Sequence, residues 1–227
     1  IARLDRVIIT HAHDDHIGGL VYLLKDGSIP IGEILWSNPS DENIRRYGTD
    51  EADAALRDLT AVRKLAQQRG IPIREIAEGE VLDLGGGVTA TVLMASRPEP
   101  IASYFNNNSL ILKVAFQDFS ILFTGDLCWE QEALLLPLHP DLTVDVLKIP
   151  HHGGAYWDNE KFVAATHAKA ALIPTPEWLA RDPRSEPGRK ILNAHQIPSF
   201  ASWEYPELDL ATDGSVCWLS PAPSGNP

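Results

Sequence analysis

Apolar residues along the chain follow two rhythms, short continuous runs and helical repeats, and together they predict an alternation of strands and helices. Val7-Ile8-Ile9 is a strand-like run. Ile17 to Leu24 reads as a short helix ended by Asp26-Gly27, with Gly18-Gly19 letting its backbone come close to a neighbour. Glu33 to Trp36 reads as a buried strand and Asn38 to Asp41 as a turn. From Asp53 to Arg69, Leu56, Leu59, Val62 and Leu65-Ala66 recur every three or four positions, an amphipathic helix stopped by Gly70. Three strands follow: Pro72 to Ile76, Val81 to Leu84 and Val88 to Met94. Gly85-Gly86-Gly87 leads into a strand, so it is read as a hairpin turn; a phosphate cradle would open a helix.

In the second half, Ser96 to Ser103 is a Pro-containing loop. Leu110 to Phe116 and Phe119 to Phe123 form a hairpin across Gln117-Asp118. Cys128 to Leu136 is a helix, and Pro137 to Asp141 a connector that leaves His139 exposed. Val144 to Ile149 is a buried strand, Phe162 to Ala165 helical, Ala170 to Ile173 a strand, and Pro174 to Pro187 a long polar loop. Arg189 to His195 is a helix, and Leu208 to Leu210 with Ser215 to Leu219 a closing hairpin over Asp213-Gly214. The pattern is that of one mixed α/β domain over residues 1–219, with a flexible Pro/Ser/Gly tail at 220–227.

The 227 residues suffice for a full core, and 44% hydrophobic with 22% charged residues is a globular balance. No apolar run approaches a membrane span. The net charge of −12 opposes nucleic acid over most of the surface, which favours a small-molecule or phosphodiester substrate. Cys128 and Cys217 are too few for a disulfide framework and read as reduced thiols of a cytoplasmic protein.

The chemistry concentrates in one stretch. His11-Ala12-His13-Asp14-Asp15-His16 follows the first strand directly, and so many imidazoles and carboxylates cannot share a core without a cation. One turn cannot wrap a metal pair by itself, so further ligands must come from elsewhere. Thr124-Gly125-Asp126 and Pro150-His151-His152-Gly153 each follow a strand, and five of the eight histidines lie in the two histidine-bearing loops.

The order His-x-His-x-Asp-His, Thr-Gly-Asp, then a late His resembles the metallo-β-lactamase fold hydrolases. Asn106-Asn107-Asn108-Ser109-Leu110 and Val146-Leu147-Lys148-Ile149-Pro150-His151-His152-Gly153 are similar to the hydrolase domain of ComEC-type DNA-uptake proteins, a branch that also resembles phosphorylcholine esterases. The resemblance implies an αββα sandwich. Because such domains open with several strands ahead of the His cluster, it also implies N-terminal strands missing from this chain and a start inside a longer protein, where a leader could lie. Where that branch carries Tyr-Gly-His-Pro, this chain has Ser185-Glu186-Pro187-Gly188.

By that resemblance, two divalent ions (zinc or manganese, with iron an option) are expected, His11, His13 and Asp126 holding one and Asp15, His16, His152 and the shared Asp126 the other. They would activate a water for attack on a phosphoric ester, with Asp15, Asp126 and His151 as the catalytic set. His151 is assigned to proton donation and His152 to ligation, with the reverse open. Lys148 is either a snorkelling stem or a phosphate contact; Asn108 either contacts the metal or its water or fixes a tight turn. Tyr156 and Trp157 are candidate pocket walls. Rival expectations are a carboxylic ester or lactone hydrolase, a phosphorylcholine-type esterase with an aromatic box from Tyr156, Trp157 and Trp178, and a non-catalytic metal-stabilised domain.

Overall fold

The computed structural model describes residues 1–99 and 101–221 and contains two compact units. The first comprises residues 1–80 and 94–111. Its sheet is parallel throughout, in the order β1 (Leu4–Ile9), β2 (Ile31–Trp36), β3 (Ile73–Glu75). Parallel neighbours need long crossovers, and helices supply them. Helix α1 (Asp14–Asp26) links β1 to β2, while α2 (Asp41–Tyr47) and α3 (Ala52–Gln68) lie between β2 and β3. Ile17, Leu20 and Leu24 of α1 and Leu59, Val62 and Ala66 of α3 are buried in one cluster with Ile34 and Trp36. At roughly 1.5–3 kcal/mol for each large side chain, this stripe is what holds the crossovers on the sheet.

Three local readings change here. Helix α1 begins at Asp14, three residues earlier than the apolar pattern implies, because Asp14 and Asp15 suit the positive end of the helix and the His13 carbonyl accepts from Ile17 N at 2.9 Å. A Cβ placed on Gly18 or Gly19 would meet nothing within 4 Å, so close approach is not what these glycines serve. The Asn38 to Asp41 turn is the entry to α2: Ser40 Oγ accepts from Asn43 N at 3.2 Å, a helix N-cap.

The second unit comprises residues 81–93 and 112–221 of the described chain. Its strands β4 (Val81–Gly85), β5 (Val88–Met94), β6 (Ile111–Phe116), β7 (Phe119–Phe123), β8 (Val146–Lys148), β9 (Ala170–Ile173) and β10 (Ser199–Ala201) form one seven-stranded sheet in the order β10-β9-β8-β7-β6-β5-β4. The β4–β5 and β6–β7 pairs are antiparallel hairpins, and β7 to β10 run parallel. Helices α4 (Trp129–Leu138) and α5 (Glu160–Thr166) make the crossovers from β7 to β8 and from β8 to β9.

The predicted loop at Pro174 to Pro187 instead holds α6 (Glu177–Ala180), a 3-10 turn (Pro183–Ser185) and the start of α7 (Glu186–Ala194). Pro187, the last residue of that loop reading, lies in the first turn of α7, where no N–H partner is needed. His139 is half-buried, its Nε2 donating to the Leu93 carbonyl at 3.1 Å, and is not the exposed connector residue expected. Strands β11 (Leu208–Thr212) and β12 (Cys217–Pro221) form the closing hairpin. β12 takes in the first two residues of the expected tail, and the rest of that tail lies outside the described residues.

Candidate metal centre

In the first unit, β1 ends at Ile9 and delivers three imidazoles within one turn. His11 is buried, with Nδ1 3.1 Å from Thr10 Oγ1 and 3.4 Å from Ser109 Oγ. Its Nε2 lies 3.0 Å from Nδ1 of His13. The outer nitrogen of His13, Nε2, lies 3.3 Å from Glu51 Oε2. A carboxylate accepts, so Nε2 carries the proton and the Nδ1 lone pair points toward His11. His16, in the first turn of α1, has Nδ1 3.4 Å from Thr10 Oγ1, and its ring centroid is 4.1 Å from that of His11. Asp15 is exposed, with Oδ2 3.7 Å from His16 Nε2.

Two imidazole nitrogens bound at 2.0–2.1 Å to one tetrahedral ion stand about 3.3 Å apart. The His11–His13 spacing of 3.0 Å is close to that, with both outer nitrogens tethered. The donor set of this unit therefore fits a cation. Glu51 and Ser109 are additions to the expected residues. Ser109 is flagged by the Asn-rich motif it closes, whereas Glu51 sits in a 3-10 turn (Thr49–Glu51) with no pattern around it to mark it. Asn108 is committed to backbone: Oδ1 accepts from Arg97 N at 2.7 Å and Nδ2 donates to the Tyr104 carbonyl at 2.7 Å, the turn-fixing alternative.

In the second unit, the loop after β7 and the loop after β8 are tied together. Thr124 Oγ1 donates to the Lys148 carbonyl at 2.8 Å, and Lys148 Nζ donates to the Gly125 carbonyl at 2.6 Å. Asp126 is buried between them, Oδ1 3.5 Å from Lys148 Nζ and Oδ2 3.4 Å from His152 Nε2. The Lys148 ammonium thus turns back onto this loop.

His151 and His152 both adopt left-handed backbone, φ 48° and 55°. That conformation costs a non-glycine residue roughly 1–2 kcal/mol. Each ring is anchored by Nδ1: His151 to the Ala155 carbonyl and His152 to the Pro174 carbonyl, both at 2.8 Å. A carbonyl only accepts, so both Nδ1 atoms carry protons, which in the neutral ring places the lone pair on Nε2. His152 turns Nε2 to the Asp126 side; His151 stacks instead near Tyr156, centroids 6.4 Å apart and planes 14° apart. Tyr156 is half-exposed and meets Trp129 edge-on at 5.3 Å. Trp157 is fully buried beneath Gly188 and lines, with His152, a cavity of this unit.

Comparison with known proteins decides the family. The profile described as a beta-lactamase superfamily domain matches residues 1–183. The chain belongs to the beta-lactamase superfamily. The metallo-β-lactamase fold follows, and with it membership of a superfamily of metal-dependent hydrolases.

A curated relative, ComE operon protein 3 of Bacillus subtilis (strain 168), is 33% identical over 178 residues, 76% of this chain and 20% of that protein. The chain therefore spans a fifth of the length of the curated relative it matches. Among solved structures, a mutant of the beta-hydroxylase CmlA aligns over 88% of this chain and 43% of its own at 13% identity, TM-score 0.55. Zn(2+)-bound PqqB from Methylobacterium extorquens aligns over 87% and 71% at 12% identity, TM-score 0.51. At such identities these two likenesses carry the fold alone. No helix among the described residues is long and apolar enough to cross a membrane.

Proposed function

We propose that the protein is a dinuclear metal-dependent phosphoesterase. His11, His13 and Asp126 would hold one divalent ion, and Asp15, His16, His152 and Asp126 the other. The facing of His11 Nε2 and His13 Nδ1 at 3.0 Å carries this reading, because it is close to the spacing of two imidazole ligands on one ion, and each ring is held at its outer nitrogen. When bound, divalent ions supply Lewis acidity toward water and an ester oxygen. Imidazole and carboxylate without thiolate suit zinc, manganese or iron.

The chain's own groups then divide the work. Glu51, Thr10 and Ser109 orient the first pair of rings, and the Pro174 carbonyl orients His152. His151, with Nδ1 fixed on Ala155 and Nε2 open, is placed to take a proton on Nε2 from the attacking water and return it to the leaving oxygen. Lys148 balances the buried Asp126 charge. The acidic surface favours a small ester over a nucleic-acid polymer.

The test is metal analysis followed by a screen of phosphodiesters, phosphomonoesters and lactones, with Asp126→Ala alongside. About two bound ions and phosphodiester turnover, both lost in the variant, are expected. Two ions with a silent screen would favour a metal-stabilised binding domain, and turnover of lactones alone would favour a carboxylic ester hydrolase.

A further inference from the structure

A cavity of about 320 Å³ lies in the second unit, lined by residues that include His152, Thr175, Ser185, Arg189, Trp203 and Glu204. Two of its hydroxyls are committed to backbone. Ser185 Oγ donates to the Leu179 carbonyl at 2.8 Å, and Thr175 Oγ1 to the Pro176 carbonyl at 3.4 Å. Arg189 differs. It is half-buried, and its guanidinium donates to the Ala180 carbonyl. One contact of that kind leaves most of its five N–H groups uncommitted.

The neighbouring cations sharpen the contrast. Arg181 pairs with Glu177 at 2.6 Å, Arg184 with Asp182 at 2.8 Å and Lys190 with Glu186 at 2.9 Å. Among the described residues, no carboxylate lies within 4.0 Å of Arg189. Glu204 is at the exposed rim, where water screens its charge. A half-buried guanidinium with no carboxylate in direct ion-pair contact, Glu186 of its own helix acting on it only at longer range, in a cavity walled by indole, is a recognition group for an anion, and its fork suits phosphate or carboxylate.

His152 joins this cavity to the proposed chemistry, since its ring lines the wall while its Nε2 lies 3.4 Å from Asp126 Oδ2. We propose that the cavity is a subsite for a second anionic group of the substrate, held by Arg189, so that the ester cleaved belongs to a small molecule carrying a further phosphate or carboxylate. This rests on the phosphoesterase reading for where the ester sits, but not for the binding of the anion. The cavity is near the lower limit of small-molecule sites and takes a group of sugar-phosphate size rather than a polymer.

Two measurements on the metal-loaded full chain test it. The first compares kcat/KM for a dinucleoside monophosphate with and without a terminal phosphate. Wild type is expected to prefer the terminally phosphorylated form, and Arg189→Met to lower that preference by roughly 10- to 100-fold, the range of a charge-assisted hydrogen bond. The second is calorimetry with methylenediphosphonate and with malonate, neither of which needs turnover. Arg189→Met should weaken binding of one or both by a similar factor, and the more affected probe identifies phosphoryl or carboxylate as the anion. Arg189→Lys, which keeps the cation and the stem, should recover part of each signal and so separates charge from packing. A preference and an affinity unchanged in Arg189→Met would overturn the subsite. A silent enzyme that still shows Arg189-dependent anion binding would overturn the phosphoesterase reading and leave the subsite standing.

Discussion

Nε2 of His11 and Nδ1 of His13 face each other at 3.0 Å while the far nitrogen of each ring is held from outside. Glu51 takes the outer proton of His13, and Thr10 and Ser109 can take that of His11. With both outer nitrogens protonated, the facing pair is lone pair against lone pair, which a shared cation stabilises; with the hydroxyls donating to His11 Nδ1 instead, His11 Nε2 donates to His13 Nδ1 and the site is held ready for the metal by that hydrogen bond.

Glu51 is therefore a positioning residue for His13, and its removal should appear first in metal affinity. Glu51→Ala is expected to weaken divalent binding by roughly 10- to 100-fold, read by competition against a chromogenic chelator. Glu51→Gln, which can still accept through its amide oxygen, should recover part of the loss. An affinity that stays at the wild-type value in Glu51→Ala would remove the carboxylate from this role.

The adjacent histidines are separated by their anchors, His151 on Ala155 and His152 on Pro174. His151→Ala should lower kcat by about 100-fold or more, the range of general acid catalysis, with metal content unchanged. His152→Ala should lose metal together with rate. Measured by metal analysis beside steady-state kinetics, the opposite pattern would mean that the roles are exchanged.

Much of the architecture was legible because the apolar repeats are strong. Leu59, Val62 and Ala66 mark α3, and all three are buried in the structure. What escaped notice depends on contacts distant in sequence or on capping chemistry that looks like a turn. Ser40 reads as turn although its hydroxyl caps the helix at Asn43, and Pro187 reads as the end of a loop although it stands in the first turn of α7. The histidine and aspartate motifs were plain from spacing alone. Their supports were not: Glu51 lies 38 positions from His13, and the Pro174 carbonyl that fixes His152 lies 22 positions from it. Trp157 is close to His152 in sequence and in space: its fully buried ring packs under Gly188 and lines the cavity that His152 also lines.

Glu132 of α4 makes the fold sensitive to pH. Both carboxyl oxygens are shut off from solvent, and burial pushes the group up to about 8, with Asp158 and Glu130 adding to the shift and Asn159 opposing it. The folded state thus holds a proton that the unfolded state releases near 4.5. The associated stability is present in full below that value and is lost as pH rises toward about 8. At about 1.4 kcal/mol per unit, the loss amounts to a few kcal/mol. Glu132→Gln should flatten this part of the profile and raise stability at pH 8 relative to wild type, as read by urea denaturation at several pH values. Parallel profiles for the two proteins would show that Glu132 ionises without cost.

The packing of α7 on Trp157 gives a test that is independent of any metal. A Cβ on Gly188 would lie 2.0 Å from Cζ2 and 2.4 Å from Cη2 of the Trp157 ring, far inside van der Waals contact, and that ring is fully buried. Gly188→Ala should cost about 1–3 kcal/mol through overpacking, seen as a lower melting temperature. Trp157→Phe removes the six-membered lobe that meets the new methyl, along with an indole N–H that has no hydrogen-bond partner. The second substitution should therefore be less harmful in the Gly188→Ala background than in wild type, a coupling that a double-mutant cycle measures directly. Additive losses would place the strain of Gly188→Ala in the helix backbone rather than against the indole.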